Sequence, residues 1–222
     1  MVSLLDIIGP VMVGPSSSHT AGACRIGLLA RGLVRGTPES ARAELHGSFA
    51  RTGEGHGTDK AIAGGLLGFR PDDARLRDAL DIAEREGLAY RFEKTTISDD
   101  AHPNTVRLTV TRGGETHVAL ASSIGAGRIV LTEIDGYPVE VSGNLHAIVL
   151  VAEDRPGSVA RIAGILAEER VNLATMRVTR KERGGDAFMV LECDEPPSDV
   201  SVDAIARLEW VRWARRLEKV GA

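Results

Sequence analysis

Three short polar clusters carry most of the side chains able to do chemistry. Ser16-Ser17-Ser18-His19-Thr20 lies between Gly14-Pro15 and Gly22. Hydroxyls and free backbone N–H groups in a glycine-flanked turn form a seat for a small anion such as a carboxylate. An imidazole beside them can move a proton near neutral pH. The second cluster, Gly47 to Ala61, reads GSFARTGEGHGTDKA and sets His56 between Gly55 and Gly57. The bare backbone there lets a small substrate crowd the ring. The third, His102 to Thr105, is a polar HPNT turn before a strand.

Other chemistries find little support. No GxSxG elbow is present, and Gly53-x-Gly55-x-Gly57 lacks both the spacing and the acidic context of a dinucleotide loop. The two cysteines, Cys24 and Cys193, stand far apart with no metal-ligand spacing around either. They read as lone buried thiols of a reducing compartment.

The elements needed to position these clusters follow from periodicity. Ile26, Leu29, Ala30 and Leu33 fall on one helical face directly after the serine cluster, and Ser18 or Thr20 would cap that helix. TPESARAELHGSFA predicts a turn and then a strand. A further helix begins at Thr58 or Asp59. DDARLRDALDIAEREG predicts one continuous helix with Leu76, Ala79, Leu80 and Ala83 as its apolar stripe and Gly87 as its stop. From Tyr90 to Val141 the pattern turns to strands, with hairpins at Gly113-Gly114 and Asp135-Gly136.

A boundary is expected near Ser142 to Asn144, giving domains at 1–143 and 144–222. The second part predicts strand, helix, strand, strand, helix, strand, the ferredoxin-like βαββαβ order. Val159, Ile162, Ala163 and Leu166 form the apolar face of its first helix, and Ser201 to Arg207 its second. The fold class expected is α+β.

The 222 residues are 43% hydrophobic and 26% charged, with 27 basic and 31 acidic residues interspersed, so nucleic acid is a poor partner. MVSLLDIIGP has no basic run and is broken by Asp6, so it does not read as a signal peptide. No run of about 18 apolar residues predicts a membrane span. A cytoplasmic protein is expected.

From Leu145 to about Val220 the chain resembles the ACT domain family, through Asp154-x-Pro156-Gly157 before a helix, Asn172 before a strand and Gly184-Gly185 at a hairpin. That resemblance implies side-by-side pairing into a homodimer. It also implies an allosteric amino-acid ligand held by Asp154, Arg155, Pro156, Gly157 and Asn172. GPSSSHTAGACRIG, GSFARTGEGHGTDKAIAGGLLG, HPNT and SSIGAGRI together resemble the β chain of iron–sulfur L-serine dehydratases. The N-terminal domain is also similar to the allosteric substrate-binding domain of some phosphoglycerate dehydrogenases.

The dehydratase resemblance implies deamination of L-serine to pyruvate and ammonia. It implies His19 and His56 in catalysis, with substrate held by Ser16, Ser17, Ser18, Thr20, Thr58, Asp59 and Asn104, and with Asp59 orienting a histidine. It implies a [4Fe–4S] cluster on three cysteines. Two cysteines cannot hold one, so no metal is expected in this chain and the cluster is expected on a separate α chain. Which histidine is the base stays open, and a non-catalytic serine-sensing module is the alternative.

Overall fold

The computed structural model describes residues 11–221. The opening MVSLLDIIGP lies outside them. The described chain divides into two compact units, the second covering Gly143–Lys219.

The first unit is built on a six-stranded sheet. Its strands are β1 (Ser40–Leu45), β2 (Ala89–Lys94), β3 (Thr105–Arg112), β4 (Glu115–Gly125), β5 (Arg128–Ile134) and β6 (Tyr137–Val141), in the order β2-β1-β3-β4-β5-β6. Among the described strands only the β1–β2 pair is parallel. The remaining strands run antiparallel through hairpins. Gly113-Gly114 and Asp135-Gly136 turn two of these hairpins with all four residues at positive φ. That is the two-residue geometry whose twist suits the flanking strands. Alternation puts Ala41, Ala43, Leu45, Val106, Leu108 and Val110 in the core.

The helices are α1 (Ala23–Leu33), α2 (Gly47–His56), α3 (Thr58–Leu67) and α4 (Ala79–Arg85). Ile26, Leu29 and Leu33 of α1 and Ile62 and Leu66 of α3 are fully buried. Each such side chain contributes about 1.5–3 kcal/mol by leaving water. The two helices approach backbone to backbone at Gly27 and Gly65. A Cβ on Gly65 would stand 2.1 Å from the Cys24 carbonyl oxygen, and one on Gly27 would stand 2.4 Å from that of Ile62.

Two expectations are corrected. The strand of AELHGSFA stops at Leu45, and Gly47–His56 is a helix despite three glycines. Its intrinsic propensity is poor, and tertiary contacts supply the rest: Phe49 is fully buried and the Ser48 N–H donates to the Pro103 carbonyl at 2.6 Å. The continuous helix expected from Asp72 is instead a 3₁₀ turn, Ala74–Asp78, followed by α4. The Asp73 carboxylate accepts from the Arg75 N–H at 2.9 Å and tightens the start of that turn.

The second unit runs β7 (His146–Glu153), α5 (Ser158–Glu168), β8 (Leu173–Arg180), β9 (Asp186–Cys193), α6 (Asp199–Ala206) and β10 (Val211–Leu217). Its antiparallel sheet has the order β10-β7-β9-β8. This is the ferredoxin-like βαββαβ arrangement, so the chain is of the α+β class. Ile148, Leu150, Met189 and Leu191 pack with Ile162 and Leu166 of α5 and Ile205 of α6. Among the described residues no helix is long and apolar enough to cross a membrane.

Candidate functional site

Ser16, in extended conformation, caps a single π-helical turn, Ser17–Gly22, that runs straight into α1. Its hydroxyl accepts from the His19 N–H at 3.2 Å. Ser16 is thus the cap, where Ser18 or Thr20 was expected. The turn buries His19 and Thr20.

Helix α2 brings the second histidine alongside. Ser48, Thr52 and His56 are spaced four apart and share one helical face. His19 Nε2 lies 3.1 Å from Thr52 Oγ1 and 3.3 Å from Ser48 Oγ, while its Nδ1 lies 3.3 Å from Ser16 Oγ. The two imidazole rings sit 4.9 Å apart, and the Phe49 ring meets His19 edge-on at 5.3 Å. The Thr20 hydroxyl donates to the His56 carbonyl at 3.4 Å and ties the turn to the end of α2.

His56 Nδ1 lies 2.9 Å from the Thr52 carbonyl oxygen. A carbonyl only accepts, so Nδ1 carries the proton, and the neutral ring keeps its lone pair on Nε2. Burial, and after it the neighbouring His56, hold the imidazolium of His19 below the ordinary histidine value. His19 is therefore neutral at pH 7.

A cavity of about 340 Å³ opens against His56. Thr20, Gly57, Lys60, Leu76 and Arg77 are among its walls, and among the described residues no carboxylate lines it. The Lys60 ammonium donates to the Arg77 carbonyl at 2.9 Å, which anchors the amine at the rim. Lys60 and Arg77 are exposed. A cavity edged by two cations and an imidazole suits a small carboxylate-bearing molecule.

The other expected residues scatter around this cavity. Ser17 and Ser18 are half-buried in the turn and do not line it. Thr58 opens α3 but is fully buried, packed beside Gly53. Asp59 does not orient a histidine: its Oδ1 accepts from the Lys60 N–H at 2.8 Å, and the orienting group of His56 is the Thr52 carbonyl. Asn104, half-buried just before β3, donates from Nδ2 to the Ser123 carbonyl of β4 at 3.4 Å and does not line the cavity. Ser48, Thr52, Lys60 and Arg77 went unnoticed in the sequence. The four-residue spacing of Ser48, Thr52 and His56 becomes a signal only once Gly47–His56 is known to be helical.

The sequence profile described as "Serine dehydratase beta chain" matches residues 3–93, and the profile "ACT domain" matches residues 146–209. The "Probable L-serine dehydratase, beta chain" of Bacillus subtilis (strain 168) is 44% identical over 207 residues, 93% of each chain. The chain belongs to the L-serine dehydratase beta-chain family. A second member, the "L-serine dehydratase, beta chain" of Peptoniphilus asaccharolyticus, is 35% identical over 217 residues, covering 97% of this chain and 98% of that one. The "D-3-phosphoglycerate dehydrogenase" of B. subtilis is 27% identical over 185 residues, 83% of this chain but 35% of that one.

The thiols of this beta-chain family member do not fit an iron–sulfur cluster. Cys24 is fully buried and donates to the Phe69 carbonyl at 3.1 Å, and burial pushes its thiol up to about 12. Cys193 belongs to the other unit, and burial pushes it up to about 11. Cluster ligands are thiolates, and burial disfavours the charged form of both sulfurs here. Among the described residues no group of three His, Cys, Asp or Glu could hold a metal ion.

In the ACT unit the polar groups of the expected ligand loop already have partners. Asp154 Oδ2 accepts from Arg180 Nη1 at 2.5 Å and from the Gly184 N–H at 3.1 Å. The Gly184 amide, then Arg180, holds its carboxyl below the usual range. Asn172 Nδ2 donates to Asp194 Oδ2 at 2.6 Å, and its backbone N–H to Glu195 Oε2 at 3.1 Å. The Arg155 guanidinium lies 5.8 Å from the Trp210 ring. Pro156 and Gly157 are exposed just before α5, with Gly157 at φ 85°.

Proposed function

We propose that this chain is the beta component of an L-serine dehydratase and that it deaminates L-serine to pyruvate and ammonia only together with an alpha chain. One observation carries this reading: His56, with its Nε2 lone pair free, shares an amino-acid-sized cavity with Lys60 and Arg77 in a chain whose thiols suit no cluster. Lys60 and Arg77 hold the substrate carboxylate, and Thr20 holds the end of α2 in place. His56 Nε2 takes the α-proton of serine as general base. Loss of that proton and of the β-hydroxyl leaves aminoacrylate. Its imine tautomer hydrolyses to pyruvate and ammonia, so the water lost in elimination returns in hydrolysis. Ser16, Ser17 and Ser18 order the turn carrying His19. The [4Fe–4S] cluster belongs to the alpha chain, which closes the open side of the cavity.

The ACT unit serves pairing into a homodimer and serine regulation at the Pro156–Gly157 loop, and the whole assembly works in the cytoplasm. Anaerobic co-purification with an alpha chain, followed by a pyruvate assay, tests the central claim. Pyruvate is expected from the pair and from neither chain alone. Full turnover by this chain alone, or no stimulation of the alpha chain by it, overturns the reading; the second outcome favours a serine-sensing module.

A further inference from the structure

The hydroxyls around His19 favour one proton arrangement. Thr52 Oγ1 has one hydrogen and three neighbours: the Ser48 carbonyl at 3.0 Å, His19 Nε2 at 3.1 Å and Ser48 Oγ at 3.3 Å. The carbonyl only accepts, so it takes the Thr52 hydrogen. Thr52 Oγ1 is then left as an acceptor 3.1 Å from His19 Nε2, where a second lone pair would be repelled; Ser48 Oγ, 3.3 Å from both atoms, gives its hydrogen to Thr52 Oγ1, and the ring brings its proton on Nε2. The Ser48 backbone also raises the proton affinity of the ring, as an acceptor does. On the opposite edge Ser16 Oγ already accepts from the His19 N–H, and its own hydrogen is free to donate to Nδ1, 3.3 Å away. Both ring nitrogens of His19 are thereby engaged, and neither offers a lone pair to a substrate. The carbonyl of the same Thr52 imposes the opposite tautomer on His56, with the proton on Nδ1.

We infer that Thr52 is a positioning residue for serine deamination that sets both tautomers at once. Its hydroxyl fixes the buried His19 as the Nε2–H form beside the base. Its carbonyl fixes His56 as the Nδ1–H form and presents Nε2 to the cavity. The inference rests on the proposed function for its catalytic meaning, but not for its geometry. Helical spacing makes the device possible, since Ser48, Thr52 and His56 stack on one face. The two imidazoles lie 4.9 Å apart, and of the two only His56 lines the cavity.

The test uses the full chain labelled with ¹⁵N-histidine. Ring-nitrogen shifts and two-bond couplings at neutral pH distinguish the two neutral tautomers, with the signals assigned through His19→Gln and His56→Gln. In the unsubstituted chain His19 is expected as Nε2–H and His56 as Nδ1–H. In Thr52→Val, His19 is expected to become a mixture with a major Nδ1–H fraction while His56 stays unchanged, because the valine keeps the carbonyl. Thr52→Ser restores the original pattern.

With an alpha chain, Thr52→Val is expected to lower kcat about 3- to 10-fold with KM within about twofold, the scale of one ordinary hydrogen bond. Thr52→Ser recovers it. Observation of His19 as Nδ1–H in the unsubstituted chain overturns the inference without any variant needing to fold. An unchanged His19 pattern in folded Thr52→Val also overturns it. Those spectra are read on this chain alone, so a lack of activity with the alpha chain counts against the proposed function and leaves the tautomer assignment standing.

Discussion

Each unit begins a helix behind a left-handed glycine with no side-chain cap: Gly57 at φ 70° before α3 and Gly157 at φ 85° before α5. Both glycines stand beside polar residues that the family resemblance links to ligand binding. Around Gly57 the functional atoms are left unsatisfied in a useful way, with His56 Nε2 free and Lys60 and Arg77 edging a cavity. Around Gly157 the carboxylate of Asp154 and the amide of Asn172 are consumed by their own unit, closing the β8–β9 turn and the loop after β9. A glycine-led helix start is therefore a frame, and the neighbouring side chains decide whether it is a site. A ligand at the second frame competes with the partners of Asp154 and of the Asn172 amide nitrogen.

The sharpest way to break this contrast is substitution at each frame in the assembled enzyme. His56→Gln is expected to lower kcat about 10²- to 10⁴-fold, the range for a positioned base, whereas Asn172→Ala should leave kcat within about twofold and alter only its response to added serine. Pyruvate kinetics on both variants decide the matter: comparable losses would erase the distinction between the frames.

Next in size is packing beneath the first frame. Gly65→Ala must push α1 from α3, because the Cys24 carbonyl oxygen lies where the methyl would go. A loss of about 1–3 kcal/mol is expected from overpacking, read by urea denaturation, and the cavity should lose substrate affinity with it. Addition of a methyl at Gly157 meets no atom within 4 Å, so strain there comes from φ alone.

The pH response separates the frames with a smaller effect. The folded-state proton affinity of His19 lies below that of an unfolded histidine, near 6.5. The unfolded chain therefore binds more protons around that pH, and stability should be full above about pH 6.5 and fall as the pH drops below it. His19→Gln should flatten this part of the curve in thermal melts taken from pH 7.5 to 5. Asp154 is expected to act at lower pH and more weakly, because it is solvent-accessible and its ion pair is screened. Its carboxyl is depressed in the folded chain, so its contribution is present above about pH 4 and fades below. Asp154→Asn should remove a slight acid sensitivity and leave the pH 6 region untouched, which melts in the more acidic range will show.

Much of the architecture was legible because it depends on local periodicity. The stripe Ile26, Leu29, Ala30 and Leu33 is a buried helix face, and the Gly113-Gly114 and Asp135-Gly136 turns are hairpins. Helix α2 was hidden because Gly47, Gly53 and Gly55 argue against a helix, and burial of Phe49 with the Pro103 contact overrides that preference. The candidate site was half legible for the same reason. His19 and His56 stand out by their surroundings in the chain, but Thr52 and Ser48 gain meaning only on a helix, and Lys60 and Arg77 only when α3 and the turn before α4 share a wall.

Residue order alone carried the two polar motifs, the βαββαβ pattern and the count of two cysteines, since composition and short-range spacing need no fold to be read. Folding alone decided which atoms of those motifs are free. Thr52 reaches His19 across 33 residues and Thr20 reaches His56 across 36. The proton arrangement on His19 depends on that long-range contact with Thr52, which no local pattern in the chain encodes, whereas that on His56 follows from Thr52 one helical turn earlier.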